Sequence, residues 1–512
     1  MPLSHILIVY LISTLIVFLP SFGLAKMFKK AGVAPWKAFI PFYNTWVMQE
    51  VAKRPKHWVF WQFIPVVGWF ISPGIFIEFV KLFGRFTLGE HTLAALLAPF
   101  YFVYLGYYDK VRYIGPEGAK RYKKPGWREW VDAAVFAIVA ATLIRTFVFE
   151  AYTIPSGSME RTLLINDFLF VSKFSYGPRI PNTPLSIPFV HNYIPGTSMR
   201  SYTKLIELPY IRWFASPVKR GDVVVFNFPE GDTVINKPDY QSFHPYYTVL
   251  REQGNGDMSK GRQIVLNDPD TYPILVHAPD KTDNYIKRCV GISGDSLEIR
   301  KGQIYINNVI EPMPSKALMP YMVYTSKPLD EELLKAEYDV DLQNQEQFQQ
   351  AGKNKYLMSL TTDAFQKMKS SQFADSVLPE TIDTAFYDPN FPNYVIQHKW
   401  TVDNFGPIWI PKKGASLTLR PDIYNIYERA IRVYEHNNFE MRDNKFYLNG
   451  KEVSSYTFKM DYYWMMGDNR HGSQDSRFWG FVPEDHVVGK AALIWFSWEN
   501  GPRWNRLFKS VK

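Results

Sequence analysis

Residues 131–159 read VDAAVFAIVAATLIRTFVFEAYTIPSGSM, and this stretch decides how the chain is organised. Its first part, 131–149, is apolar enough for a membrane span. Then come the strand-like Tyr152-Thr153-Ile154 and a Pro155-Ser156-Gly157-Ser158 bend. A chain that leaves a bilayer and enters a strand and a serine-bearing turn predicts a membrane-anchored body with chemistry close to the anchor. Serine is a weak nucleophile on its own. It needs an adjacent base and donors for a developing oxyanion, and the bend offers a hydroxyl and backbone N–H groups. A plain juxtamembrane turn uses the same residue types.

Upstream lie three more apolar segments, 5–25, 57–80 and 92–108, so four crossings are expected in all. The first is read as a span and not as a cleavable signal peptide. No Lys or Arg precedes it, while Lys26, Lys29 and Lys30 follow at once. The second carries Gln62, Pro65, Pro73 and Glu78, which predicts a kinked or protein-packed segment. Stretch 26–56 holds seven Lys/Arg against Glu50, and 109–128 holds seven against Asp109 and Glu117. By the positive-inside rule both are cytoplasmic, which leaves the N-terminus and everything after residue 150 outside. The +9 net charge is therefore a topology signal first and an anionic-lipid contact second, and nucleic acid is not expected as a partner.

Downstream, the sequence reads as β-rich. DFLFVSKF, GDVVVFNF and KAALIWFSW are short apolar or alternating runs between Gly, Pro, Asn and Asp punctuation. KGQIYINN and DNKFYLNGKEV predict hairpins, the second turning at Asn449-Gly450. Residues 329–352 and 362–372 are instead polar and helix-favouring, as if inserted between blocks of strands. With 512 residues, 46% hydrophobic and 17% aromatic, the chain is neither disordered nor a small single domain. One cysteine, Cys289, excludes an internal disulfide framework and a Cys-rich zinc site.

Two further motifs carry chemistry. In Asn284-Tyr285-Ile286-Lys287-Arg288-Cys289-Val290-Gly291 a lysine sits inside a strand-like apolar run. Buried there, it loses solvation, its pKa falls, and it can act as a neutral base near pH 7. An ordinary edge-strand lysine is the alternative. In Gly467-Asp468-Asn469-Arg470-His471-Gly472-Ser473-Gln474-Asp475-Ser476-Arg477, Asp475 and Arg477 are spaced to pair and brace the loop. Ser473 is placed to hydrogen-bond a nearby amine. A solvated, charge-balanced hairpin is the bland alternative.

Taken in this order after a membrane anchor, the three motifs resemble the type I signal peptidases, membrane-bound Ser/Lys proteases that remove signal peptides from exported proteins. The resemblance covers roughly 131–227, 284–308 and 450–497. It implies Ser158 as nucleophile, Lys287 as general base, Ser156 and the N–H of Ser158 as oxyanion donors, and Ser473, Asp475, Arg477 and Asp468 in support. It further implies shallow pockets lined by Tyr152, Ile154, Leu163, Tyr285 and Ile286 that admit small residues before the cut. No metal or cofactor is called for. The implied partners are signal-peptide-bearing preproteins and membrane lipid, with proximity to the secretion translocon. The implied location is the bacterial plasma membrane, multi-pass, with the catalytic domain extracytoplasmic.

The expected fold is thus a helical membrane region joined to a mainly-β catalytic domain of antiparallel sheets with an inserted α+β cap. Its expected parts are a multi-pass region at 1–125, an anchor at 126–150, catalytic segments at 151–308 and 450–512, and a cap at 309–449. This chain departs from the family in having Arg161 where proline is usual, and in its extra N-terminal crossings. A catalytically silent membrane scaffold with the same fold is the alternative function, but both Ser158 and Lys287 are present. Ser201-Tyr202-Thr203-Lys204 fits an S-x-x-K acyltransferase signature, but the accompanying K-T-G is absent.

Overall fold

Uncharged apolar runs at the start of the chain form helices, which satisfy every backbone group internally. The computed structural model describes residues 3–64, 66–197, 199–237, 240, 242, 244–371, 373–385, 391–392 and 399–512. The chain divides into two units. One comprises Met1–Val148, Pro178–Pro195 and Met199–Trp213, and the other Phe149–Gly177, Gly196–Ser198 and Phe214–Lys512.

The first unit holds α1 (Leu3–Phe18), α2 (Ser21–Lys30), α3 (Tyr43–Val51), α4 (Trp58–Trp61), α5 (Val67–Val80), α6 (Leu88–Leu96), α7 (Ala98–Tyr107), α8 (Gly115–Lys120) and α9 (Gly126–Phe147). Among the described residues α9 alone is a single helix long and apolar enough to cross a membrane. Up to three spans result if the bent pairs α1–α2 (41°) and α6–α7 (116°) each count as one. Hydropathy leads to an expectation of four crossings, the second of them kinked; by length and composition the described residues supply one to three.

Run 57–80 breaks into a four-residue and a 14-residue helix. Val66 takes φ 66 at the break, and Pro65 lies outside the described residues. Run 92–108 turns sharply between α6 and α7, where Pro99 in the first turn of α7 has no N–H to carry the α6 ladder onward. Gly23 and Gly106 let α2 and α7 pack closely, because a Cβ at Gly23 would stand 2.1 Å from the Phe102 carbonyl carbon.

The second unit is built on an eight-stranded antiparallel sheet: β1 (Phe149–Thr153), β2 (Asp167–Ser172), β3 (Val223–Asn227), β4 (Asn284–Gly291), β5 (Tyr462–Met466), β6 (Val482–Pro483), β7 (Val487–Ser497) and β8 (Lys509–Ser510). The strand order is β1-β2-β7-β3-β4-β5-β6, with β8 paired to β7. Alternate residues feed two cores. Val223 joins Ile154, Met159, Leu163, Leu169 and Ile494. Val224 and Phe226 join Cys289, Tyr463, Met465 and Trp479.

Both expected hairpins form. Gln303–Ile306 pairs with Ser296–Arg300, and Lys445–Leu448 pairs with Lys451–Val453. The second turn has positive φ at Asn449 and Gly450, as a two-residue hairpin loop requires. The helical expectation for 329–352 holds only for Glu331–Tyr338, which Asp330 caps. Phe348–Gly352 is instead a strand paired with Lys355–Thr361, where Phe348 stacks on Tyr356. The cross-strand partner overrides the local preference. Thr362–Ser370 is helical as expected, and residue 372 lies outside the described residues. The body is mainly β and antiparallel, preceded by a helical region.

Candidate active site

The serine turn is pinned on both sides. Ile154 N–H donates to Asp167 O, and Asn166 N–H donates to Ile154 O, both at 2.9 Å. Pro155 and Ser156 continue as exposed chain, and Gly157–Met159 form one tight helical turn. Ile154, Met159 and Leu163 are buried around it, so the apolar residues of the motif anchor a turn that carries Ser158 between them. Ser158 itself is 9% exposed.

Lys287 reaches this turn from β4. Its Nζ donates to Ser158 Oγ at 2.7 Å and to Ile286 O at 3.1 Å. The side chain is 3% exposed. Burial lowers its pKa from 10.5 to about 8, against the attraction of Asp475 and Asp468. A buried amine that sheds its proton near neutrality, in contact with a hydroxyl, is able to remove that hydroxyl's proton.

The third element is the loop after β5. Gly467 N–H donates to Asp475 Oδ2 at 3.0 Å, and Arg477 binds both Asp475 oxygens at 2.8 Å. Both charged partners are fully buried, and each completes the other's hydrogen bonding. Burial pushes the Asp475 carboxyl up, but Arg477 and the Gly467 N–H outweigh it and hold the group below its ordinary value. Asn469 then grips the serine turn: its N–H donates to Ser158 O at 3.1 Å and its Nδ2 to Gly157 O at 3.2 Å. Asp468 accepts from Arg288 Nε at 2.8 Å, from Arg288 Nη2 at 2.6 Å and from Thr162 Oγ1 at 2.6 Å.

Of the residues singled out from sequence, Ser158 and Lys287 are joined directly, and Asp475, Arg477 and Asp468 lie in the surrounding network. Ser473 is buried beside the turn, but its hydroxyl makes no hydrogen bond among the described residues. Gly467 separates it from Ser158, and a Cβ there would lie 2.3 Å from Ser473 Oγ and 2.5 Å from Ser158 O. Ser156 stands exposed in extended backbone just before the turn.

Ile154, Leu163 and Ile286 pack in one apolar cluster under the turn. Tyr152 packs with Val171, Val225 and Ile286. Tyr285 lies apart from these four, stacked on Phe228 and edge-on to Trp479. Sequence reasoning missed Asn469 and the ion pair of Arg288 with Asp468. The signal was an arginine next to the lysine and an acid opening the last motif. Arg161 takes φ 69, outside the range of a proline, and its guanidinium binds the Asp339 carboxylate and carbonyl. The S-x-x-K serine is engaged elsewhere: Ser201 Oγ donates to His191 O at 3.1 Å.

A model of the family described as signal peptidase, peptidase S26, matches residues 127–363 and 426–498. Residues 36–116 match a family of unknown function. Signal peptidase I of Haemophilus influenzae is 25% identical over 389 residues, which cover 74% of this chain and 75% of that protein. Signal peptidase I of Buchnera aphidicola subsp. Schizaphis graminum is 24% identical over 363 residues, 70% and 71% of the two chains. Signal peptidase I of Rickettsia massiliae is 28% identical over 185 residues, 36% of this chain and 44% of that one. Fold and matches together define a serine peptidase. The chain belongs to the signal peptidase family, peptidase S26. Its activity is the cleavage of signal peptides, and its substrates are preproteins that carry them.

Proposed function

We propose that Ser158 and Lys287 form the catalytic dyad of this signal peptidase. The observation that carries the proposal is the 2.7 Å contact between a buried lysine amine and the serine hydroxyl. Neutral Lys287 takes the Ser158 proton as Oγ attacks the scissile carbonyl. Ser158 N–H and the Ser156 hydroxyl hold the oxyanion. Protonated Lys287 then gives its proton to the leaving amine of the mature protein. Water activated by Lys287 releases the signal peptide from Ser158, in the Ser-Lys variant of acyl transfer.

Asp475 with Arg477, and Asp468 with Arg288, fix the loop that holds the turn, and Ser473 orients the lysine when substrate closes the site. Ile154, Leu163 and Ile286 form the floor of the pockets for small residues, with Tyr152 at their edge, while Tyr285 contributes from the opposite face of β4, where it stacks on Phe228. The inserted stretch 309–449 is a non-catalytic cap on the catalytic segments 151–308 and 450–512. The anchor 126–150 and the region 1–125 hold the protein in the bacterial plasma membrane. The catalytic body then faces the extracytoplasmic side, near the translocon that delivers its substrates. Basic stretches 26–56 and 109–128 meet anionic lipid on the other face.

The test is cleavage of a preprotein with an Ala-x-Ala junction by wild type, Ser158→Ala and Lys287→Ala. Wild type cuts at the junction, and both variants are inactive while folded. Full activity in Lys287→Ala would remove the dyad.

A further inference from the structure

Hydropathy counts the runs 57–80 and 92–108 as crossings, but both ends of each run meet the same polar surface. Before the first run, Lys53 and Arg54 pair with Glu117 at 3.3 Å and Glu78 at 2.6 Å. After it, Leu82 O accepts from Ile114 N–H at 2.8 Å, and Phe83 packs edge-on to Tyr113. His91, just before the second run, lies 2.8 Å through Nδ1 from Arg128 Nη2, well after it. A hydrocarbon core about 30 Å thick would stand between the two ends of a true crossing and forbid every one of these contacts except Lys53–Glu117, whose two stretches share the cytoplasmic side in either arrangement.

The helices are also too short. At 1.5 Å per residue α5 spans about 21 Å, and α6 and α7 about 15 Å each. The tip of the first run reaches only the middle of α1, where Tyr10 OH donates to Phe63 O at 2.9 Å and Trp69 Nε1 to Ser13 Oγ at 3.1 Å. Its polar groups are satisfied within the protein: Gln62 accepts from Thr45 at 2.6 Å and donates to Ser72 at 2.8 Å. That is the condition for irregular backbone at membrane depth. Both tips present large apolar side chains outward, Phe60 and Trp61 on one, Leu96 and Phe100 on the other.

We infer that 57–80 and 92–108 are re-entrant hairpins that enter from the cytoplasmic leaflet and return to it. The chain then crosses the membrane twice, through α1–α2 and α9. This rests on the reading that those two elements span the bilayer. Two crossings, like four, leave the residues before α1 and after α9 on one side, so the position of the catalytic residues does not distinguish the two arrangements. The position of 81–91 does. It joins 26–56 and 109–128 in one basic face, with two, seven and seven Lys/Arg against Glu50, Glu90, Asp109 and Glu117. Such a face suits the anionic headgroups of the cytoplasmic leaflet.

Labelling with a membrane-impermeant maleimide tests this in the full-length protein. The single native thiol, Cys289, is buried and silent. A side chain at Gly89 meets nothing within 4 Å. Gly89→Cys, Lys123→Cys and Lys353→Cys are each compared in right-side-out and inverted vesicles, with cleavage activity as the check on folding. Thr87→Cys replaces Gly89→Cys if the latter accumulates poorly. The expected result is that Gly89→Cys and Lys123→Cys react only in inverted vesicles and Lys353→Cys only in right-side-out ones. Reaction of Gly89→Cys in right-side-out vesicles overturns the hairpins and restores four crossings. Reaction of Lys123→Cys and Lys353→Cys from the same side instead overturns the spanning reading on which the hairpins rest.

Discussion

Replacing Lys287 by methionine should abolish cleavage and at the same time stabilise the protein. Burial brings the lysine from 10.5 to about 8, which costs about 3 kcal/mol when the folded protein carries the charge at pH 7. Methionine fills nearly the same volume without that cost but forfeits the hydrogen bond to Ser158, worth about 1 kcal/mol. The net gain at pH 7 is about 2 kcal/mol, or about 2–4 °C in Tm.

The sign of the pH dependence follows from which state keeps its proton. Between pH 8 and 10.5 the folded lysine is neutral while the unfolded one is still charged, so wild-type stability recovers as pH rises through this window. The advantage of Lys287→Met should shrink over the same interval and reverse to about 1 kcal/mol in favour of wild type above it. Paired melting curves in detergent at pH 7 and pH 10.5 measure both values. A variant less stable than wild type at pH 7, or a difference that does not change with pH, would refute the claim that this lysine is held against its own solvation.

Other expectations follow from the same geometry. The kcat/KM of wild type should rise with pH along a limb near 8 as Lys287 loses its proton, and a limb near 6 would contradict this. Gly467→Ala places a Cβ 2.3 Å from Ser473 Oγ and 2.5 Å from Ser158 O. It should cost about 10²-fold in kcat with little change in KM, measured on a short signal-peptide substrate. Arg288→Ala strands the fully buried Asp468 carboxylate and should destabilise by about 3–5 kcal/mol, read as a lower Tm. Arg161→Pro, although it restores the residue usual in the family, should inactivate the enzyme because φ 69 is closed to proline. Arg161→Ala should cost under about 1 kcal/mol, since Asp339 is largely exposed.

The meeting of Ser158 and Lys287, the proposed dyad, was legible because each partner sits in a motif whose neighbours have a local task. Ile154, Met159 and Leu163 bury the turn, and Ile286 and Val290 hold the strand, so the polar residue between them stands out. Asn469 was harder to find. What it does depends on its N–H and Nδ2 meeting the carbonyls of residues more than 300 positions away, which no local pattern encodes. The number of crossings was less legible, for a different reason. Hydropathy measures how apolar a run is but not its direction, so α6 and α7 with a 116° bend between them score like one straight helix. The strand at Phe348–Gly352 was likewise invisible locally, because its stabilising partner is the neighbouring strand and not its own composition.

The distances along the chain between the site's parts set a timetable for its appearance. Ser158 is synthesised first, its lysine partner comes 129 residues later, and Arg288 waits a further 180 for Asp468. At about 5–20 residues per second Ser158 exists for roughly 15–60 s before the loop that fixes its turn has been made. Throughout that interval the growing chain carries a serine and then a serine with a lysine, but no assembled protease. A product cut short before residue 462 would lack the loop whose Asn469 grips the Ser158 turn, and on the proposed dyad it should be inert.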